Sequence, residues 1–198
     1  NHPVEMALRA DVKVTITALL PILADLGGEE LNSRAKTSLS ELVERNWTAR
    51  RRQLVSNVSQ FAETMPIEPD WLMMTLVDLL PENGIVVDEG IISTRALLNF
   101  LPIRDRYCYF GNASGGIGWG IAAALGVQIA HPNRRVVAIL GDGSAMYSIQ
   151  ALWTASHLKL PITFIFANNG GYRIIKERLL SFHGNDTIIS MDFIAPPI

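Results

Sequence analysis

The stretch "VVAILGDGSAMYSIQALWTASHLKLPITFIFANN", residues 136–169, contains two apolar runs that are each followed by polar groups. Residues 136–140 are continuously apolar, as expected of a strand that is buried on both faces of a sheet. A helix is predicted around residues 145–158, and the apolar residues 161–167 then predict a second strand. A strand, a crossover helix and a strand form a βαβ unit with parallel strands.

Polar side chains follow both of these strands. Asp142 comes just after the first strand, and Asn168 and Asn169 come just after the second. If the strands are neighbours, these groups reach the sheet edge at which open α/β sheets bind ligands. Carboxylate and amide oxygens suit Mg²⁺ or Ca²⁺ better than zinc. Gly143 and Ser144 open the crossover helix, whose free N–H groups attract phosphate. The pattern therefore predicts a site for a metal-bound diphosphate.

The chain upstream of this unit continues the alternation of helices and strands. A helix is expected over "WLMMTLVDLL", a buried strand over "IVVDEG", and two further helices over "STRALLNFL" and "IAAALGVQIA". Strands that alternate with helices indicate an α/β fold, a doubly wound parallel sheet with helices on both faces.

The N-terminal third has a different character. Residues 10–16 alternate apolar and polar side chains, which predicts a half-buried strand, and a helix ended by a glycine pair should follow. This single strand and helix have no neighbouring strands or helices to pack against, so we interpret residues 1–25 as the C-terminal tail of another α/β domain. Residues 26–65 are more polar, with apolar residues at helical spacing, and we expect a helical linker arm there.

Composition narrows the class of protein. The 198 residues are 48% hydrophobic and 18% charged, with a net charge of −2, so no basic field would attract nucleic acid or an anionic membrane. The one cysteine, Cys108, lies among aromatic residues, which predicts a buried thiol and favours a cytoplasmic protein. No apolar run is long enough for a membrane span, and no signal peptide is visible. Since the chain begins at Asn1 and ends on "IAPPI", we interpret it as a piece of a longer protein.

"GDG" at residues 141–143 and "NN" at residues 168–169 resemble the cofactor motif of thiamine-diphosphate-dependent enzymes. The wider stretch is similar to the benzoylformate decarboxylase and acetolactate synthase-like members of that family. The resemblance implies that residues 66–198 form the family's domain for binding thiamine diphosphate and Mg²⁺, truncated at its C-terminus. It also implies a missing N-terminal pyrimidine-binding domain and a partner subunit, in a homodimer or homotetramer.

The resemblance also implies roles for individual residues. Asp142 and Asn169 would bind the metal through their side chains, and Gly171 through its backbone carbonyl. Gly115 would offer its carbonyl to the aminopyrimidine, and Ile117 would be the stiff apolar wedge that bends the cofactor. The further residues placed around the cofactor are Ile91, Ile92, Gly116, Gly141, Gly143, Ser144, Ala145, Tyr172 and Ile174.

The sequence departs from benzoylformate decarboxylase at several of these positions. Ile91 and Ile92 stand where that enzyme has hydroxyl residues that help to hold the diphosphate, which leaves backbone groups or the nearby Ser93 and Thr94 for this task. Two positions that are aromatic pocket walls in that enzyme are Gly111 and Arg178 here. Arg178 is four residues after Ile174, on one helix face. If Ile174 faces the thiazolium, as the resemblance implies, Arg178 would favour a substrate with a second anionic or polar group. The alternative is that Arg178 pairs with Glu177 or another surface acid.

The activity that the resemblance implies is decarboxylation of a small 2-oxo acid. The acid that activates the aminopyrimidine comes from a separate domain in this family, so no catalytic side chain is assigned in this chain, and we expect the chain to be inactive alone. Two alternatives remain: an acetolactate synthase-like carboligase, and a non-catalytic α/β module that binds a nucleotide.

Overall fold

The computed structural model describes residues 3–184, 191 and 192. The chain divides into two compact units, residues 1–52 and residues 53–198. Each unit is described by itself.

The first unit is helical. Helix α1 spans Val12–Val43 and is interrupted at Gly28, whose φ of 53° is not helical; α2, Trp47–Val58, begins in this unit. The Asp11 side chain caps α1 by accepting a hydrogen bond from the Val14 N–H at 2.9 Å. The strand predicted over residues 10–16 is therefore wrong. The structure gives these residues no strand partner, and a helix satisfies its backbone hydrogen bonds internally.

A four-stranded sheet forms the centre of the second unit. Its strands are β1 (Ile85–Glu89), β2 (Tyr109–Gly111), β3 (Val136–Gly141) and β4 (Ile162–Ala167). The order is β2-β1-β3-β4, and every neighbouring pair is parallel. The parallel α/β sheet is thus confirmed. The short strand β2, which runs from Tyr109 to Gly111, is an addition to the strands that the sequence predicts.

Helices cover both faces of the sheet. Alternate residues of each strand enter different cores, because side chains along a strand point to opposite faces. Val86, Val137 and Ile139 pack with α3 (Pro69–Leu79) and α4 (Leu97–Phe100) in one core. Ala138 and Leu140 pack with α5 (Gly120–Ala130) and α7 (Ala151–His157) in the other. The helices of this unit are α3 (Pro69–Leu79), α4 (Leu97–Phe100), α5 (Gly120–Ala130), α6 (Asp142–Met146), α7 (Ala151–His157) and α8 (Arg173–His183), and a 3₁₀ turn covers Ser59–Phe61.

The crossover between β3 and β4 differs from the single helix predicted around residues 145–158. It consists of two short helices, α6 and α7. Between them the backbone makes i→i+3 hydrogen bonds, such as those from the Ser148 N–H to the Ala145 carbonyl and from the Ala151 N–H to the Ser148 carbonyl. The dipole of a long helix therefore does not act at Gly143 and Ser144, and any phosphate there would depend on the local N–H groups.

Two expectations from composition can be compared with the structure. Cys108 is a free, buried cysteine, as predicted, and its thiol donates a hydrogen bond to the Asp105 carbonyl at 3.1 Å. Within the described part of the chain, no helix has both the length and the apolar character that crossing a membrane requires.

Candidate functional site

The polar groups after β3 and β4 meet at one edge of the sheet. Gly141 pairs with Ala167 in the register of the two strands, so the next residues of both strands leave the sheet side by side. Asp142 is buried at 5% exposure, and its carboxylate accepts hydrogen bonds from the Gly143 N–H at 2.9 Å and the Gly170 N–H at 2.8 Å. The carboxylate therefore joins the two loops, and the predicted juxtaposition is confirmed.

The loop after β4 is shaped by its two asparagines and two glycines. The Asn168 side-chain oxygen accepts from the Gly170 N–H at 3.0 Å, and that of Asn169 accepts from the Gly171 N–H at 3.2 Å. Gly170 has a φ of 70°, which glycine adopts without strain. A Cβ at Gly171 would lie 2.4 Å from the Met191 carbonyl oxygen. This close approach requires glycine at residue 171.

A cleft of about 640 Å³ opens at this edge of the sheet. Most of the residues predicted to bind a cofactor or metal line it: Ile91, Ile92, Gly115, Ile117, Gly141, Asp142, Gly143, Ser144, Asn169, Gly171, Tyr172 and Ile174. Two predicted residues do not. Gly116 is exposed, and Ala145 is buried in the second core. The structure therefore gathers residues from four separate stretches of sequence around one cavity.

Two phenols in the cleft are held neutral. The Tyr109 hydroxyl donates to the Asp88 carboxylate at 3.0 Å, and burial together with the Asp88 charge raises the pKa of Tyr109 to about 12. Burial also raises the pKa of Tyr172, with further contributions from the Tyr147 hydroxyl and the Asp142 charge. Because both phenols keep their protons at neutral pH, they can act there as hydrogen-bond donors and not as bases.

The backbone is strained at Ile91, in the part of the cleft lining that follows β1. Ile91 has a φ of 50°, a conformation that is rare for a β-branched residue and costs on the order of 1–3 kcal/mol. The neighbouring Thr94 is buried and lines the cleft, whereas Ser93 does not line it. Ser93 and Thr94 are the nearby hydroxyl residues that could hold the diphosphate in place of those that Ile91 and Ile92 replace. Of these two, only Thr94 is at the cleft.

Sequence reasoning missed two residues that organise the cleft, Glu89 and Asn112. The Asn112 side chain donates to the Gly116 carbonyl at 2.7 Å and accepts from the N–H groups of Ser114 at 3.1 Å and Gly115 at 2.8 Å. Glu89 binds the backbone on the other side of the same turn. The available signals were an acid at the end of an apolar strand and an asparagine before a glycine-rich run.

Residues 92–197 match the family model described as "Thiamine pyrophosphate enzyme, C-terminal TPP binding domain". The chain belongs to this family. Its cofactor is thiamine pyrophosphate, also called thiamine diphosphate, and the resemblance suggested by "GDG" and "NN" is confirmed.

Individual relatives point in two directions within this family. Benzoylformate decarboxylase of Pseudomonas aeruginosa is 38% identical over 111 residues, which is 56% of this chain and 21% of that protein. The acetolactate synthase large subunit of Buchnera aphidicola is 43% identical over 112 residues, 56% of this chain and 20% of that protein. The chain therefore matches about a fifth of the length of these relatives.

A solved structure agrees with this assignment. The thiamine diphosphate-dependent 4-hydroxybenzoylformate decarboxylase of Rhodococcus jostii RHA1 superposes with a TM-score of 0.61 at 32% identity. The superposition covers 64% of this chain and 24% of that one. The chain thus belongs among the thiamine diphosphate-dependent enzymes of the benzoylformate decarboxylase and acetolactate synthase family.

Gly111 and Arg178 stand where benzoylformate decarboxylase has aromatic pocket walls, but neither residue lines the cleft of this protein. Arg178 is exposed and does not line the cleft, although it lies one turn after Ile174 on α8. Gly111 does not line the cleft either, and a Cβ there would lie 2.5 Å from the Tyr109 hydroxyl. The arginines among the lining residues are Arg95 and Arg173, and both side chains are largely exposed.

The donor groups at the edge of the sheet fit a metal-bound diphosphate. The Asp142 carboxylate and the Asn169 amide oxygen lie on adjoining loops and are hard oxygen ligands for a cation. In this structure each of them accepts a hydrogen bond from a backbone N–H group. Gly143 and Ser144 are buried in the short helix α6 that follows β3, and both line the same cleft. Oxygen donors for a cation therefore adjoin backbone that can approach phosphate closely.

Proposed function

We propose that this protein is a Mg²⁺-dependent decarboxylase of 2-oxo acids that uses thiamine diphosphate. The observation that carries the proposal is the cleft in which Asp142 and the 168–171 loop lie beside the Gly115–Ile117 turn. The resemblance to two benzoylformate-type decarboxylases supports the choice of substrate class.

In this proposal the metal is held by three oxygen donors. The Asp142 carboxylate and the Asn169 side-chain oxygen bind it directly, and the Gly171 carbonyl completes the protein ligands. This set suits Mg²⁺, which prefers one or two carboxylates together with phosphate oxygens. The hydrogen bonds from Gly170 and Gly171 to these side chains place the two ligands beforehand.

The remaining predicted residues orient the cofactor. Backbone groups of Gly141, Gly143, Ser144 and Ala145 would hold the diphosphate, with Tyr172 beside them, and Ile91 and Ile92 would contribute further backbone groups. Gly115 and Gly116 would hold the aminopyrimidine, Ile117 would be the wedge that supports the cofactor's bent shape, and Ile174 would lie on the thiazolium side. Ala145 and Gly116 lie outside the cleft lining, so we expect them to act through their main chain.

When bound, thiamine diphosphate supplies the electron sink for breaking the bond between a keto carbon and a carboxylate. The protein's residues bind it, hold its conformation and exclude water. No described side chain of this chain is proposed as an acid or base, and the phenols of Tyr109 and Tyr172 stay protonated near neutral pH.

The wall formed by Arg95 and Arg173 bears on substrate choice. Both guanidinium groups contact Glu177, at 3.4 Å and 3.1 Å, so two positive charges share one negative charge beside the cleft. The cleft is also lined by Asp88, Glu89 and Asp142, so the preference would come from hydrogen bonds of a guanidinium at this wall and not from the overall charge. Such bonds would favour a 2-oxo acid with a second anionic group over a plain aryl substrate. This role was predicted for Arg178 and is now proposed for Arg173, with Arg95 beside it.

An acetolactate synthase-like carboligase is the second candidate. The 43% identity over 112 residues to an acetolactate synthase large subunit supports it. Both candidates use the same cofactor and differ in what the bound substrate fragment reacts with next. A product assay therefore distinguishes them.

The proposal is tested in two steps with the full natural chain. Isothermal titration with thiamine diphosphate in the presence and absence of Mg²⁺, against NAD and ATP, should give binding only for thiamine diphosphate with the cation. The protein is then supplied with benzoylformate, a dicarboxylic 2-oxo acid or pyruvate. Release of CO₂ with an aldehyde product supports the decarboxylase, and formation of a carbon–carbon bond supports the carboligase. Binding of NAD or ATP in place of thiamine diphosphate would refute both.

A further inference from the structure

Glu89 is a buried carboxylate whose hydrogen-bond partners, among the residues that the structure describes, are backbone N–H groups. It is 1% exposed at the end of β1. One carboxylate oxygen accepts hydrogen bonds from the Gly118 N–H and, at 3.2 Å, the Trp119 N–H; the other accepts from the Gly120 N–H at 2.7 Å. Three consecutive donors at the start of α5 thus converge on one charge, and hydrogen bonds to an ionised acceptor are about twice as strong as neutral ones.

The backbone that Glu89 binds has little room to move. A Cβ at Gly120 would lie 2.6 Å from the Glu89 carboxylate oxygen. Gly118 has a φ of 95°, and a Cβ there would lie 2.4 Å from the Tyr147 Cβ. Residues 118–120 are therefore confined between the acid below them and the Tyr147 side chain.

This confinement extends to the cleft through Ile117. Ile117 lines the cleft and directly precedes Gly118, the first of the three donors. On the other side of Ile117, Asn112 holds the Gly115 N–H and the Gly116 carbonyl. The turn is thus anchored at both ends, by Asn112 before Ile117 and by Glu89 after it.

We propose that Glu89 is a positioning residue that sets the affinity of the cleft for thiamine diphosphate by holding the 118–120 backbone and, through it, Ile117. This inference rests on the proposed function of the cleft. Its physical basis is that a ligand binds only the fraction of molecules in the competent conformation, so loosening the turn lowers the apparent affinity by that fraction. Glu89 acts through the backbone and does not exchange protons with the substrate.

The test uses Glu89→Gln in the full chain. Glutamine keeps the shape of the side chain, but it loses the charge, and its NH₂ group opposes one of the three N–H donors. We expect thiamine diphosphate affinity, titrated with saturating Mg²⁺, to fall on the order of tenfold. Hydrogen exchange at the Gly118, Trp119 and Gly120 amides should accelerate in the same variant, without cofactor present.

Gln128→Leu is the matched control. Gln128 is also 1% exposed and lies on α5, but its amide binds the carbonyls of His131 and Arg134 at the opposite end of that helix. This variant should lower the melting temperature while leaving cofactor affinity within about twofold of wild type, because it does not touch the turn. If Glu89→Gln and Gln128→Leu lose similar stability, a larger loss of cofactor affinity in Glu89→Gln shows that Glu89 positions the turn and does not only stabilise the fold.

A second substitution guards against misfolding of Glu89→Gln. Glu89→Asp keeps the charge but withdraws it by one methylene group, so its affinity should lie between those of wild type and Glu89→Gln. The inference is overturned if wild type binds the cofactor and the folded Glu89 variants bind it equally well, or lose no more affinity than Gln128→Leu. Failure of wild type to bind would instead refute the proposed function.

Discussion

The Asp142 carboxylate and the Gly170 N–H form a hydrogen bond of 2.8 Å that ties the end of β3 to the loop after β4. These residues are 28 positions apart in sequence. The bond fixes the position of an acid that the proposed metal site requires, and it links the "GDG" motif to the glycine that directly follows "NN". The first prediction follows from this link.

Replacing Asp142 by alanine should remove Mg²⁺-dependent binding of thiamine diphosphate. The change deletes an anionic metal ligand, and we expect the affinity for thiamine diphosphate to fall by at least about a hundredfold. Even residues that only hydrogen-bond to metal ligands change metal affinity or activity by about 10–100-fold. Isothermal titration with and without Mg²⁺ measures the effect. Asp105→Ala is the control, because Asp105 pairs with Arg134 outside the cleft. Unchanged affinity in a folded Asp142→Ala protein would refute the metal assignment.

Two glycine substitutions should have opposite effects. Gly171→Ala places a Cβ 2.4 Å from the Met191 carbonyl oxygen, so the loop must shift, at a cost of about 1–3 kcal/mol of unfolding free energy. Gly126→Ala, on α5, meets nothing within 4 Å and should be neutral or stabilising, by up to about 1 kcal/mol. Urea denaturation measures both values. Equal stability of the two variants would contradict the packing around Gly171.

Arg173→Leu should change substrate preference, and Arg178→Leu should not. Arg173 lines the cleft, whereas Arg178 is exposed on the same helix outside it. We expect Arg173→Leu to lower kcat/KM for a dicarboxylic 2-oxo acid relative to benzoylformate by about tenfold, the value of one charge-assisted hydrogen bond. The ratio of the two kcat/KM values is the measurement. An unchanged ratio in Arg173→Leu would exclude this arginine from substrate recognition.

Acid stability should depend on Asp105. The Tyr107 N–H, at 2.6 Å, and the Arg134 side chain lower the pKa of Asp105 from 3.8. Because the folded pKa is below the unfolded one, the stabilisation is present above the unfolded pKa and is lost as pH falls through the folded pKa. Melting temperatures measured over about pH 2 to 5 should therefore fall less steeply with acidification in Asp105→Asn than in wild type. Parallel curves would show that Asp105 does not contribute.

The sequence by itself determined the features that depend on neighbouring residues. Continuous apolar runs indicated β1, β3 and β4, and the polar groups after two of them indicated the edge at which the cleft lies. These signals are local, because the types of consecutive residues indicate whether a strand is buried and where it ends. The same local reasoning was wrong over residues 10–16, where an alternating pattern competed with the Asp11 cap of a helix.

Only the tertiary structure decided which distant groups share the cleft. Glu89 contacts N–H groups 29 to 31 residues away, and Arg95 reaches Glu177 across 82 residues. The periodicity of a sequence carries no information on such distances, since they follow from strand order and from how each loop leaves the sheet. The sheet order β2-β1-β3-β4 places the Glu89 strand beside the Asp142 strand, and that adjacency brings the Ile117 turn to the proposed metal ligands.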